Sequence, residues 1–285
     1  MPAPGFVRSL TSRFASDWAV RRLKRIITPE ANTLAAAVRT TLAETHARAA
    51  RAWFDRIEAL RAELEHSAEE IRRTDYGAGT PVENRSDATM AVGVVVVDQL
   101  GRIVRVASKQ PFWCRLLFEL VRNLRPASCV ELGTAVGLSA AYQAAALELN
   151  EHGRLATLEG AESLAAIARR NLQQLELQRV DIVTGRFQDT LSGVLAERGP
   201  VDFLFIDGHH DETATVRYFL QAVPALAPGA VVVFDDIKWS AGMARAWSTI
   251  HTNPQVDLAV DFGPLGLCVI RPGGARPKLV KLPLT

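Results

Sequence analysis

Five acidic residues stand at the ends of short apolar runs. Glu131 lies in Val130-Glu131-Leu132 ahead of Gly133 and Gly137. Glu159 closes Leu155-Ala156-Thr157-Leu158, Asp207 closes Val201 to Ile206, and Asp235 and Asp236 close Ala230 to Phe234. In an open α/β sheet the C-terminal strand ends line the ligand crevice, so these five carboxylates are expected to face one site. Gly133 and Gly137 lack a Cβ and let backbone approach a ligand closely. The alanine-rich helix that opens at Ser139 would offer unpaired N–H groups to an anion. An acid at the tip of a second strand suits both hydroxyls of a ribose. Asp207, Asp235 and Asp236 converge at two neighbouring strand ends and repel one another unless a cation or a proton intervenes. Mg²⁺ or Ca²⁺ would satisfy them, since hard ions take oxygen ligands. His210 follows Asp207 by three residues, and an imidazole suits general base work near neutrality. His209, its neighbour, points elsewhere if the turn is tight.

The glycine spacing separates two nucleotide-binding classes. Nicotinamide enzymes use G-x-G-x-x-G, whereas Glu131, Gly133 and Gly137 form E-x-G-x-x-x-G. With Glu159, Asp207-Gly208-His209-His210 and Phe234-Asp235-Asp236-Ile237, the chain resembles the class I S-adenosylmethionine-dependent methyltransferases from about Ser108 to Ile270. The resemblance implies that Gly133, Thr134 and Gly137 pass under the methionine part of S-adenosylmethionine. It places Glu131 near the cofactor's amino group, Glu159 on the ribose, Phe187 and Gln188 at the adenine, and Asp207 at the cofactor's edge. Two of these have a bland alternative: core packing for Phe187, a structural role for Glu131. The carboxylate set is similar to that of the cation-dependent O-methyltransferases of the catechol and caffeoyl-CoA type, with Asp207 and Asp235 on the metal. Asp236 departs from their pattern, standing where they carry Asn. Two readings follow: a divalent cation on Asp207, Asp235 and Asp236, or no metal and an Asp acting directly as base. Those enzymes carry a proton-accepting lysine at the position of His210. Lys238 and Trp239 fall where an acceptor pocket would be lined, and Lys109 is either within reach of the cofactor's carboxylate or solvated.

The resemblance implies O-methylation of a small hydroxylated acceptor, with His210 and Asp207 catalytic. The alternatives are a cation-independent methyltransferase acting on N, carboxylate or sugar hydroxyl, and a non-catalytic assembly protein built on the same domain.

These residues need a doubly wound sheet to position them. Apolar runs alternate with helical patterns from Phe112 to Ile250, which implies a parallel sheet covered on both faces. The helices fall at 112–123, 138–149, 162–175, 190–197, 212–226 and 241–250. The strands fall at 129–132, 154–158, 180–183, 203–206 and 230–234. Val256–Phe262 and Leu265–Ile270 flank Gly263-Pro264 and read as an antiparallel pair. The expected fold is a Rossmann-like, seven-stranded sheet with a reversed last strand, preceded by a helical extension. The expected boundaries are 1–107 for the extension and lid, 108–270 for the cofactor-binding domain, and 271–285 for a tail along the surface.

Residues Pro29 to Arg73 are rich in Ala, Arg, Glu and Leu and contain no Gly. Trp53, Ile57, Leu60, Leu64 and Ile71 fall near a three-four spacing, which predicts a long amphipathic helix or a helical hairpin, used either as a homodimer seam, for which the run is short, or packed over the cofactor-binding domain. Val92 to Val106 reads as a hairpin or a helix, with helix favoured. Tyr76 to Gln110 is the expected lid. Residues 1–28 carry six basic side chains against Asp17, interleaved with apolar ones. That pattern fits peripheral contact with an anionic membrane or a helix docked on its own domain. With 48% hydrophobic and 22% charged residues the chain can bury a full core, and a net charge of +2 indicates no nucleic-acid partner. Cys114, Cys129 and Cys268 lack metal spacing and read as core thiols, and with no signal-peptide pattern at Met1 the expected compartment is a reducing cytoplasm.

Overall fold

The computed structural model describes residues 20–21, 23, 26, 28–79, 83, 85–271 and 277–284. Its centre is an alternation of strands and helices. The order is β3 (Ser128–Leu132), α6 (Leu138–Asn150), β4 (Arg154–Glu159), α7 (Glu162–Gln174), β5 (Val180–Thr184), α8 (Phe187–Arg198), β6 (Val201–Ile206), α9 (Glu212–Ala222), β7 (Leu226–Phe234), α10 (Ala241–His251), β8 (Val256–Asp261) and β9 (Gly266–Ile270). The sheet runs β10-β8-β9-β7-β6-β3-β4-β5, where β10 is Lys278–Lys281. β9 runs antiparallel to both β7 and β8, and the other pairings are parallel. The chain winds outward from β3 to β5, then returns to lay β6 on the other side of β3. That reversal opens the crevice between the tips of β3 and β6.

Both faces of the sheet are dry. Val130, Leu132, Leu204 and Val232 pack with Phe187, Tyr218 and Phe219 on one face. Cys129, Phe203, Phe205 and Val231 pack with Leu116, Tyr142 and Leu147 on the other. This two-sided burial explains why the strands read as apolar runs rather than alternations.

The extension begins with α1 (Pro29–Ala43) and α2 (Arg48–Glu65). Thr28 Oγ1 accepts from Ala31 N at 3.2 Å and caps α1 behind Pro29. Of the two readings of this segment, the helical hairpin is the one found. Glu44 takes a left-handed cap conformation, its N–H turned to Thr40 O and Thr41 O, and breaks the run without a glycine. Leu34, Phe54 and Ile57 share a core with Leu116, Phe118 and Tyr142 of the sheet's covering helices, α6 and α5 (Pro111–Leu124). His46 Nδ1 meets Glu119 Oε1 at 2.7 Å inside this contact. The apolar positions that resembled a dimer seam, Ile57, Leu60 and Leu64, thus face the chain's own core.

Four other expectations need correction. Ile71 belongs not to a helix but to β1 (Glu70–Asp75), antiparallel to β2 (Val94–Gln99), and Val92–Val106 divides into β2 and α4 (Leu100–Ala107). The partner of the valine run lies far upstream, so local periodicity could not register the pairing. The tail is not simply a surface segment, since β10 adds to β8, Val280 opposite Val260, and makes eight strands of the expected seven. The helix expected at Thr190 starts at Phe187. A short helix, α3 (Asp87–Val92), precedes β2. Among the described residues no helix is long and apolar enough to cross a membrane. The membrane-contact segment lies largely outside the described residues, although Val20 and Leu23 are buried in the core.

Candidate active site

The turn after β3 is built from backbone. Gly133 N and Thr134 N donate to Leu158 O at 3.0 and 3.1 Å, and Gly137 N donates to Thr134 O at 2.8 Å. Gly133 adopts φ +104° and Gly137 φ +88°, conformations that L side chains resist. Gly137 occupies the N-cap of α6 and offers no side-chain cap, so the first-turn N–H groups stay open toward the strand ends. Glu159 organises this turn. Its Oε2 accepts from Ala135 N and its Oε1 from Ala161 N, both at 2.8 Å. Burial pushes its carboxyl upward, against the pull of those two N–H groups and Arg73. Each carboxylate oxygen retains a lone pair for a ligand hydroxyl.

Glu131 is fully buried. Its Oε1 accepts from Gln143 Nε2 at 2.7 Å and its Oε2 from Thr157 Oγ1 at 2.6 Å, while Thr157 and Thr134 share a hydroxyl contact at 2.6 Å. The Thr134 side chain is therefore turned into the protein, and only its backbone lines the turn. Burial raises the Glu131 pKa to about 7, against the hydrogen bonds from Thr157, Ser139 and Gln143. A carboxyl raised in the native state holds a proton that the unfolded chain releases. Its contribution to stability is thus full below its ordinary pKa and is lost as pH rises toward 7. Glu131→Gln is expected to flatten this loss. Its carbonyl keeps the Gln143 bond, and its NH₂ donates to Thr157, whose hydroxyl then turns to Thr134. Melting temperature against pH checks it. The wild type should lose stability relative to the variant by up to about 1.4 kcal/mol per pH unit across this window. Parallel curves would show Glu131 ionised throughout.

Asp207, Asp235 and Asp236 meet at the tips of β6 and β7, as the sequence reading expected, and a fourth group stands among them. Lys109 Nζ hydrogen-bonds Asp235 Oδ2 and lies 3.9 Å from Asp236 Oδ1. Burial opposes the charge on Lys109, but Asp207, Asp235 and Asp236 outweigh it and raise its pKa. Burial and the Asp235 carboxylate push Asp207 well above the usual carboxylate range, and burial with Asp235 also raises Asp236. His210 closes the cluster on its outer side. Its Nε2 is 3.6 Å from Asp207 Oδ1, its Nδ1 3.9 Å from Asp236 Oδ2, and its ring centroid 5.8 Å from that of Trp239. His209, His210 and Asp236 all take positive φ, and the Gly208 carbonyl accepts from His210 N at 2.8 Å, which folds the loop back on itself. The tight turn sends His209 inward. Its Nδ1 meets Tyr218 Oη at 3.1 Å, and burial followed by Arg217 lowers its pKa to about 4.

A methyltransferase-domain family matches residues 130–237. That span holds the glycine turn, Glu159 and all three aspartates. Over 136 residues the chain is 35% identical to a catechol O-methyltransferase of Niastella koreensis, an alignment covering 47% of this chain and 58% of that protein. Residues 130–237 thus carry a methyltransferase domain, and the chain is similar over them to O-methyltransferases. Its fold is similar to that of the Bacillus cereus O-methyltransferase solved in complex with SAH, with TM-score 0.51 and 28% identity over 58% of this chain and 84% of that one. A cofactor-bound protein from MTB gives TM-score 0.51 and 26% identity over 59% and 83%. The chain spans about half the length of the curated relatives it matches.

Within the methyltransferase domain, the two adenine candidates diverge. Phe187 is a buried ring packed on His209 and Tyr218 at 5.7 and 5.8 Å, and a Cβ on Gly208 would come within 2.5 Å of it. Gln188 is exposed and lines a cavity of about 420 Å³ with Met90, Asp189, His209 and Arg217. The extension crosses the mouth of the crevice. Tyr76 lies where a Cβ on Gly160 would come 2.8 Å from its ring, Ala78 N donates to His209 O at 2.8 Å, and Arg186 Nη1 donates to Ala91 O at 2.7 Å. Lys238 pairs instead with Asp261 at 2.9 Å.

The residues present fit S-adenosylmethionine: an uncapped helix N-terminus suits a carboxylate, and Glu159 suits vicinal hydroxyls. They do not fit a divalent ion, because an ammonium occupies the gap between the acids. Among the described residues no group of three or more His, Cys, Asp or Glu side chains is placed to hold a metal. Of the two readings of Lys109, the solvated one is overturned, since its side chain is largely buried and bonded to Asp235. A signal was available, since it is the sole lysine between Lys24 and Lys238 in a chain that otherwise uses arginine.

Proposed function

We propose that this chain methylates a hydroxyl oxygen of a small hydroxylated acceptor, using S-adenosylmethionine, with His210 as the base. The observation that carries this reading is the placement of His210 at the rim of the crevice, between Asp207 and Asp236 and beside Trp239. The O-methyltransferase relatives support it.

Gly133, Gly137 and Glu159 would hold the cofactor, which supplies an electrophilic methyl on a sulfonium. The protein's remaining tasks are to align the acceptor oxygen, remove its proton and keep water out. Trp239 offers an apolar wall for the acceptor. His210 is exposed enough to meet an incoming hydroxyl, and the two aspartates flanking it stabilise the imidazolium that forms. Asp207, 3.6 Å from the His210 ring, serves as its orienting partner. Tyr76 and Ala78 narrow the crevice opening.

The test is a panel of catechols and other hydroxylated aromatics incubated with purified protein and labelled cofactor. His210→Ala is expected to lower turnover by about 100-fold or more, the usual worth of a positioned general base. Its affinity for S-adenosylmethionine should stay within about twofold, since His210 touches the acceptor side only. Unchanged turnover would remove His210 from the chemistry.

A further inference from the structure

We propose that the ammonium of Lys109 is the resident cation of the carboxylate cluster, so that the site needs no divalent metal. The methyltransferase reading bears on what this does for catalysis; the occupancy of the cluster is a separate matter of charge and geometry.

Asp207, Asp235 and Asp236 carry three carboxyls into a space where Asp235 is 3% exposed. Such a set is stable only with compensating positive charge or protons. The Lys109 side chain, 13% exposed, supplies that charge in place, bonded to Asp235 and facing Asp236. A divalent ion on the same oxygens would have to expel the ammonium, because the two cations repel at this distance.

The lysine is held there by design of the fold. The Lys109 carbonyl accepts from Arg61 Nη2 at 2.9 Å and from Cys114 Sγ at 3.3 Å. Arg61 is itself buried and bonded to Glu58, and Glu58 Oε1 accepts from Tyr142 Oη at 2.8 Å. Helix α2 of the extension therefore fixes the backbone from which Lys109 reaches into the cluster. Lys109 is a positioning residue: it sets the Asp235 and Asp236 carboxyls against which His210 and the acceptor are aligned. It leaves the cluster with less positive charge than a divalent ion would give, so proton removal falls to His210.

Mn²⁺ binding followed by electron paramagnetic resonance tests this on the full chain. The wild type is expected to bind no Mn²⁺ at about 1 mM, the range of weak carboxylate sites. Lys109→Met opens the cluster and is expected to gain Mn²⁺ binding by at least about tenfold, with its melting temperature raised by the ion. Lys109→Arg, which keeps the charge, should gain none. Mn²⁺ binding by the wild type that Asp235→Asn abolishes would overturn the proposal. So would a folded Lys109→Met protein with unchanged melting temperature and unchanged Mn²⁺ binding. If Lys109→Met does not fold, the wild-type titration still decides. A parallel titration with S-adenosylmethionine keeps the outcomes apart, since failure there would count against the methyltransferase reading and leave the cation result standing.

Discussion

Gly133→Ala is expected to destroy both the crevice and cofactor binding. An added Cβ would lie 1.8 Å from the Asp207 carbonyl oxygen, a backbone atom with no rotamer to move. The residue that carries the carbonyl is tied to the sheet through its other peptide, since Asp207 N donates to Leu132 O at 2.8 Å. The two strand tips would have to part, and the residue would also hold φ near +104°, which costs an alanine about 1–3 kcal/mol before any collision. Together these place the loss at about 4 kcal/mol or more, in the range reserved for core damage. For a chain of this size that is a fall in melting temperature of roughly 10 °C. Gly193→Ala is the matched control. Gly193 lies inside α8, an added Cβ there meets nothing within 4 Å, and alanine should leave stability equal or raise it by up to about 1 kcal/mol. If Gly133→Ala melts with the wild type and still binds S-adenosylmethionine in calorimetry, the close approach of β3 and β6 described above does not exist in solution.

The same contact explains what was legible in the sequence. Glu131, Glu159, Asp207 and Asp235 were readable because each ends an apolar run, and a doubly wound sheet sends every such end to one edge. The reversed strand was readable because Gly263-Pro264 leaves room only for a tight turn. Pairings between distant segments were not. β1 and β2 are separated by a loop and α3, and β10 joins β8 from beyond the last turn. Neither carries a local period that betrays its partner. Side-chain direction was equally hidden. Thr134 faces Thr157 and Phe187 faces Tyr218 because of neighbours supplied by other strands and helices. Lys109 shows the limit most clearly. Its isolation among arginines marks it but not its direction, which comes from Arg61 upstream and from aspartates just past β6 and β7 downstream.

This gives the N-terminal helices a function that their composition did not suggest. Their long amphipathic pattern reads equally well as a seam for another chain. In the fold, α2 instead buries Phe54 and Ile57 and directs Arg61 to the segment that carries Lys109. The extension and the methyltransferase domain thus share a core and share the site, with Tyr76 and Ala78 on one side of the crevice and Lys109 beneath the other. Substitutions in α2 are therefore expected to reach the chemistry through packing, without touching a ligand.

Glu159→Gln is expected to weaken S-adenosylmethionine binding by about 100-fold, close to 2.7 kcal/mol. The size follows from what the carboxylate does in the free protein as well as from the ribose it would hold. Both oxygens accept from main-chain N–H groups, Ala135 on the glycine turn and Ala161 ahead of α7. Glutamine has one carbonyl oxygen, so it can satisfy one of these donors and must set its NH₂ against the other. Either the turn after β3 or the start of α7 then moves. The substitution also removes a charge-assisted acceptor for the ribose hydroxyls, a bond stronger than its neutral counterpart. Glu159→Ala removes the clash but leaves both donors to water, and should weaken binding to a similar degree. The near-equality of Gln and Ala is the discriminating result, because an acid that only met the ribose would be served far better by glutamine than by alanine. Calorimetric titration of both variants, with thermal melts to confirm the fold, checks it. Binding by Glu159→Gln within a few-fold of the wild type would mean that the carboxylate does not organise the glycine turn.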